Sequence, residues 1–225
     1  MTRLFLLRHG ITDWNRQRRF QGQTDIPLAA EGLAQAHRLG LRFVGEDLAA
    51  VYSSDLSRAW QTAQPVAAAC ACPLIAERGL RERAFGVFEG LTHDAIVSDH
   101  GRDYQRWRAR DWDFAISGGG ESLRQLHARV LEAMSRLAQA HPAQSIALVT
   151  HGGVLDCAYR IAGGLPLLDP QRPRLMNAAI NVVSYRPKQD PGDVGSRLNE
   201  SHLNESHLSE SGFTIDRWGD VEHLH

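Results

Sequence analysis

Two stretches of the chain end an apolar run on a histidine followed by glycine. Leu4-Phe5-Leu6-Leu7 leads into Arg8-His9-Gly10, and Ile146-Ala147-Leu148-Val149 leads into Thr150-His151-Gly152-Gly153. Runs of this kind read as interior strands of a parallel sheet, and in open α/β sheets ligands bind outside the carboxyl ends of the strands. Parallel neighbours present those ends on one edge, so His9 and His151 are predicted to face one another there. One histidine at a strand end is readily a packing residue; the repeated arrangement is hard to explain by packing. Arg8 adds a fixed cation. Arg58, in the stretch SSDLSR, is the candidate second one: it follows another predicted strand on the same edge, although taken alone it would read as a surface helix arginine.

Two imidazoles and two arginines make a pocket for a phosphoryl group. Guanidinium donors match phosphate oxygens in bidentate fashion and stay charged at every relevant pH. A neutral imidazole can attack phosphorus and form a phosphohistidine, splitting one difficult displacement into two. Charge spreads over the equatorial oxygens in the transition state, so fixed cations supply most of the catalysis. The leaving alkoxide needs a proton, which a carboxylic acid can deliver. LRERAFGVFEG offers Glu82 and Glu89, and their spacing does not choose between them.

The elements that must position these groups follow from periodicity. A helix is predicted up to about Val44, with Leu33, Ala36, Gly40, Phe43 and Val44 on one face. Residues 49–52 read as a short strand. Ser53, Ser54 and Asp55 then supply capping side chains for a helix over 56–69. Leu74 and Ile75 make a third short strand. Residues 80–120 are mixed, with a helix expected over 94–107. An amphipathic helix spans 122–140 with Leu123, Leu126, Val130, Met134 and Leu137 in register, and Pro142 ends it. Strands alternating with helices predict a mostly parallel sheet covered on both faces. Residues 180–185 and 213–218 alternate in the manner of an antiparallel extension. Between them, at about 198–212, LNESHLNESHLSESG repeats every five residues, a period of neither helix nor strand. It reads as a surface loop rather than as a metal site built on His202 and His207.

The 225 residues fit one large α/β domain over 1–225, and a composition of 43% hydrophobic and 23% charged residues is that of an ordinary globular protein. A formal net charge of −1 asks for neither nucleic acid nor an anionic membrane. No stretch reads as a signal peptide or as a bilayer span. Cys70, Cys72 and Cys157 form no disulfide or metal framework and read as small core residues in a reducing cytoplasm.

The chain resembles the histidine phosphatase superfamily, which includes the cofactor-dependent phosphoglycerate mutases. The resemblance rests on LLRHGITDWN, RFQGQTDIPL, VYSSDLSRAWQTA, LRERAFGVFEG, GGGES and LVTHGG in the family's order, over about residues 3–185 with the tail WGDVEHL. It implies a three-layer α/β/α sandwich and a phosphohistidine formed without metal. It implies His9 as nucleophile, Arg8, Arg58 and His151 as phosphate clamp, and Glu82 as proton donor. Asn15, Gln21 and Gly22 fall at positions that line the phosphate and substrate pocket, and Gly152 at a backbone donor beside His151. Two departures stand out. Ala29 occupies a position where the family often has a capping Ser or Thr, which should weaken the next helix start by roughly 1 kcal/mol. The repeat at 198–212 has no counterpart in the family pattern.

Three functions follow: a phosphomonoester phosphatase, a phosphoglycerate mutase, or a phosphate-binding module without activity. The presence of every chemical group argues against the last. The expected partner is a small phosphate ester, with no cofactor unless a mutase requires a bisphosphoglycerate primer. For a mutase the resemblance implies a long insertion after the glutamate, whereas here only about thirty residues separate Gly90 from Gly120. A short lid excludes water poorly and favours hydrolysis. Arg102, Arg106, Arg108 and Arg110 could hold a second anion, but are better read as a solvated face paired with Asp103, Asp111 and Asp113.

Overall fold

The computed structural model describes residues 1–166, 169, 173–187 and 211–224. The run that opens the chain is β1 (Thr2–Arg8), and it lies inside a six-stranded sheet. The other strands are β2 (Ala50–Ser53), β3 (Leu74–Ala76), β4 (Ser145–Thr150), β5 (Ile180–Tyr185) and β6 (Phe213–Asp220), in the order β3-β2-β4-β1-β5-β6. Pairings β1–β4, β2–β4 and β2–β3 are parallel, while β5 and β6 add antiparallel to one side. The expected C-terminal extension is therefore present.

Because side chains alternate across a strand, β1 feeds two cores. Leu4 and Leu6 pack with the helices α6 (Leu123–Ala140) and α7 (Gly152–Gly163), through Leu126, Val130, Met134, Val154 and Ala158. Phe5 and Leu7 pack on the opposite face with α2 (Ala30–Arg42) and α3 (Ser57–Cys70), through Leu39, Phe43, Ala59 and Ala63. The three-layer α/β/α sandwich is complete on both faces. Gly40 makes the α2–α3 crossing close: a Cβ there would lie 2.8 Å from the Pro65 ring. Leu33 and Val44, expected on the buried face of α2, are instead 50% and 65% exposed, and Leu39 takes the inward place. Cys157 is buried, while Cys70 and Cys72 sit half-buried at the rim of the α2–α3 core.

The capping pattern departs from expectation at one helix. α3 has Leu56 at its N-cap position with no side-chain cap of its own, and of the three expected residues only Ser54 reaches its start, accepting from Leu56 N at 3.3 Å. The cap of the first turn comes from Asp25, 32 positions earlier in the polar loop, whose carboxylate accepts from Ser57 N at 2.7 Å and Ser57 Oγ at 2.7 Å. Asp55 is committed to Arg81 at 2.6 Å. Ala29 does begin α2 without a side-chain cap, whereas Ser122 and Gln125 close a reciprocal capping box on α6.

A third, smaller core holds residues 85–120 over the sheet edge. Phe88, Ile96, Phe114 and Ile116 are its buried centre, with Phe20 and Trp107 against it. The helix expected over 94–107 is two helices, α4 (His93–Asp99) and α5 (Gly101–Arg108), following the one-turn α1 (Asp13–Arg16) and the other helices already named. The break falls at His100, whose backbone (φ −134°, ψ 36°) leaves the helical region and ends one helix where Gly101 begins the next. The repeat, with His202 and His207, lies outside the described residues but for Ser211 and Gly212.

Candidate active site

Register delivers the two histidines together. Arg8 is paired with Thr150 across β1 and β4, and His9 N donates to Thr150 O at 3.0 Å, carrying the ladder one residue past the strands. The imidazoles of His9 and His151 consequently lie with ring centroids 5.1 Å apart, both buried. Ser54 N bonds Val149 O in the same way and brings the end of β2 alongside.

The hydrogen-bond partners assign what each ring can do. His9 Nδ1 lies 2.7 Å from Gly10 O, a carbonyl that can only accept. The proton therefore sits on Nδ1, which leaves the Nε2 lone pair for attack. Burial, then the Arg58 and Arg8 charges, hold the His9 pKa well below the ordinary histidine value, so the ring is neutral at pH 7. His151 is likewise held well below, by burial first and then by Arg58, His9 and Arg8. Its Nε2 meets Ser54 Oγ at 2.8 Å. That oxygen also accepts from Leu56 N, and a serine hydroxyl can both donate and accept. His151 Nδ1 is buried without a protein partner.

The cations complete a positive floor. Arg58 is fully buried in the first turn of α3, and burial pushes its pKa down to about 10. Its Nη1 and Nη2 donate to Thr24 O at 3.0 Å and Gly22 O at 2.7 Å. Arg8 donates through Nη1 to Leu175 O. The Nε groups of both arginines are buried without a protein partner. Buried donors of this kind fit an anion rather than a metal cation.

The structure separates the two glutamates. Glu89 is spent on the backbone: its carboxylate accepts from Gln23 N, Thr24 N, Thr24 Oγ1 and Phe85 N at 2.6–3.1 Å. Gly22 is at φ +54°, and a Cβ there would run into that carboxylate, so only glycine fits. Glu82 instead lines a cavity of about 410 Å³ together with Arg8, His9, Asn15, Gln21, Gly22 and Arg58. It is held against the start of α7 by Gly153 N at 3.0 Å and Arg83 N at 2.8 Å. Gly153 has no room for a Cβ, which would strike Glu82 Oε1. Gly152 opens α7 beside the Arg8 guanidinium, 3.6 Å from where its Cβ would be. Asn15, which lines the cavity, accepts through its Oδ1 from Thr12 N and Thr12 Oγ1, so its side-chain oxygen is already engaged. All nine residues singled out from sequence thus meet at one edge.

Several supporting residues had no sequence signal. Asn177 donates from its side-chain amide to His9 O at 3.0 Å and Gly10 O at 3.3 Å, fixing the His9 backbone from a loop 168 positions away. Thr62 Oγ1 accepts from Gly10 N at 3.0 Å. Ser54 read as a helix cap and turns out to orient His151. Arg18, Arg19 and His93 line the rim. The basic face of α5 is paired differently from expectation. Arg106 does bond Asp111 at 2.7 Å, but Asp103 is taken by Ser117, Asp113 by Arg124, and Arg110 reaches Asp156 on α7 at 3.0 Å.

An α/β/α sheet edge carrying paired imidazoles, unneutralised arginines and one cavity-facing carboxyl defines a phosphoryl-handling enzyme. The model of the histidine phosphatase superfamily (branch 1) matches residues 4–191, and the chain belongs to that superfamily, as an enzyme of its phosphatase and mutase type. Phosphoglycerate mutase-like protein 4 of Arabidopsis thaliana is 35% identical over 229 residues, covering 98% of this chain and 86% of that protein. Among solved structures, YhfR of Bacillus stearothermophilus superposes with a TM-score of 0.82 at 30% identity over the full length of both chains. A mycobacterial glucosyl-3-phosphoglycerate phosphatase, solved with VO3, gives a TM-score of 0.77 at 27% identity over 97% of this chain and 99% of that one.

Proposed function

We propose that the protein hydrolyses phosphate monoesters of small molecules through a phosphohistidine on His9. The observation that carries this reading is the state of His9: a buried, neutral ring with Nδ1 committed to Gly10 O, beside two arginines whose Nε groups have no protein partner. His9 Nε2 attacks phosphorus while the ester P–O bond breaks, and Glu82 gives its proton to the leaving oxygen. Arg8, Arg58, His151 and the Asn15 amide bind the phosphoryl oxygens, with Gln21 and Gly22 shaping the loop around them. Glu82, now a carboxylate, takes a proton from water as that water attacks phosphorus; the N–P bond breaks and inorganic phosphate leaves. The positive charge that a metal would bring comes from the arginines.

Hydrolysis rather than mutation is favoured by the lid. Seven- and eight-residue helices, α4 and α5, are all that residues 91–119 supply, and a mutase must keep water off its phosphoenzyme for as long as its intermediate reorients. The test is direct. The protein is given 3-phosphoglycerate with a bisphosphate primer, and separately a panel of monoesters, with inorganic phosphate and 2-phosphoglycerate both assayed. Phosphate release from several esters, and an alkali-stable, acid-labile phosphoprotein on rapid quench, are expected. Primer-dependent formation of 2-phosphoglycerate with negligible phosphate release would overturn the hydrolase reading.

A further inference from the structure

A second cavity of about 330 Å³ lies between the lid, α6 and α7. It adjoins the phosphate pocket: Phe85 lines both, Gly153 on its wall holds Glu82, and Leu175 on its wall holds Arg8 through its carbonyl. The partition between the cavities therefore carries the carboxyl that serves the leaving oxygen. In an in-line displacement the leaving oxygen departs opposite His9 Nε2 and toward the proton donor. What is attached to that oxygen continues past Glu82.

The walls of this cavity are selective. Phe85, Trp107, Leu123 and Leu175 give it an apolar body. Its one lining carboxylate, Asp156, is neutralised by Arg110 at 3.0 Å and Arg160 at 3.1 Å. The buried Arg83 turns Nε and Nη2 to the carbonyls of Glu121 and Phe114. Arg108, exposed at the end of α5, also lines the cavity, and no carboxylate pairs with it among the described residues. The result is an apolar slot with a free cation at its mouth.

We propose that this cavity is the leaving-group subsite and that it takes an alcohol with an apolar, ring-sized body bearing a carboxylate at its far end. The assignment rests on the hydrolase reading and names its substrate class. Compact polyols would leave the apolar walls wet, whereas a ring would cover them.

The test uses primary alkyl esters, whose leaving alcohols are of similar acidity, so that differences report binding. For 2-phenylethyl phosphate we expect kcat/KM at least about tenfold above ethyl phosphate and glycerol 3-phosphate, the scale of burying part of a ring. A para-carboxylate on the ring should add about threefold at low salt, the scale of an exposed ion pair. That increment should reverse in Arg108→Glu, which lies on the surface and leaves the fold alone. Trp107→Ala should bring the ring preference down toward one. The non-hydrolysable 2-phenylethylphosphonate and ethylphosphonate, compared by calorimetry on the unmodified protein, give a second reading free of turnover. Equal rates for the three esters together with equal affinities for the two phosphonates would overturn the subsite. So would a ring preference that survives both variants but falls in Arg18→Gln, which would move the leaving group to the other rim. Tighter binding of the ring phosphonate without hydrolysis of any ester would support the subsite and sink the hydrolase reading instead.

Discussion

The floor of the site and the lid above it treat positive charge in opposite ways. On the floor, Arg8 and Arg58 give their N–H groups to carbonyl oxygens and are buried without a directly bonded carboxylate. Around the lid, arginines are tied to carboxylates, Arg106 to Asp111, Arg110 to Asp156 on α7, and Arg124 of α6 to Asp113, with Arg108 at the second cavity left unpaired among the described residues. Carbonyl partners hold a guanidinium in place without cancelling its charge. The floor therefore keeps a field for an incoming anion and accepts a desolvation cost for it, visible in the depressed pKa values of His9, His151 and Arg58. The lid spends its charge on holding a small core closed.

The sharpest way to break this contrast is at His9, the proposed nucleophile. His9→Ala should cut phosphoryl transfer by at least about 10⁴-fold while the protein stays folded at neutral pH. Label retained on the protein after rapid quench of that variant would move the nucleophile elsewhere. Glu82→Gln should slow alkyl esters by about 10²–10⁴-fold and activated aryl esters much less, because an aryl oxide hardly needs protonation. Equal losses on both ester types would remove Glu82 from the role of acid.

Acid titration measures the cost of the floor itself. An unfolded histidine takes up a proton below about pH 6.5, whereas folded His9 and His151 do not until well below it, so stability falls as pH falls through that window. Each such ring contributes a slope of about 1.4 kcal/mol per pH unit. His127, also held down by half burial, adds to the total, so the loss of slope in His9→Ala isolates one site. Denaturant midpoints between about pH 6 and 5 check this; an unchanged slope in His9→Ala would mean that His9 is charged in the folded protein.

Smaller effects probe the lid and the outer layer. Arg110→Gln removes the tie from lid to α7, and hydrogen exchange should rise across residues 93–116 while β1 and β4 stay protected. Faster exchange in the strands as well would show lid and floor to be one cooperative unit. Ala29→Ser should restore the missing cap of α2 and add roughly 0.5–1 kcal/mol of stability with no change in turnover.

How much of this was legible beforehand follows the same division. β1, β4 and α6 announce themselves because each has one dominant period and a clear end, and the histidines come with them. The family's ordered motifs imply Glu82 rather than Glu89, where spacing leaves both open; the four hydrogen bonds that occupy Glu89 are encoded in no local pattern. Asp25 capping α3, Asn177 bracing His9 and Arg110 crossing to Asp156 are contacts between distant segments, so propensity could not show them. The split of α4 from α5 was hidden for a related reason. His100 is unremarkable in a helix, and tertiary packing of Phe88, Ile96 and Trp107 decides where the chain turns.

Glu89 sets a boundary for anyone wishing to transplant lids between relatives. Its carboxylate holds Thr24 N, and Thr24 O in turn receives Arg58, so the root of the lid and the Arg58 guanidinium share one fixing point. Phe20 N reaches Leu91 O and Arg19 bridges to Thr92 on the near side, while Val87 N binds Ser117 O on the far side. The exchangeable cassette is therefore residues 93–115. A splice made there exchanges Trp107, Arg108 and Arg110 on the second cavity and His93 at the rim of the first, and leaves Glu82, Glu89 and Arg58 in place; one made upstream of Glu89 takes the Arg58 fixing point with it.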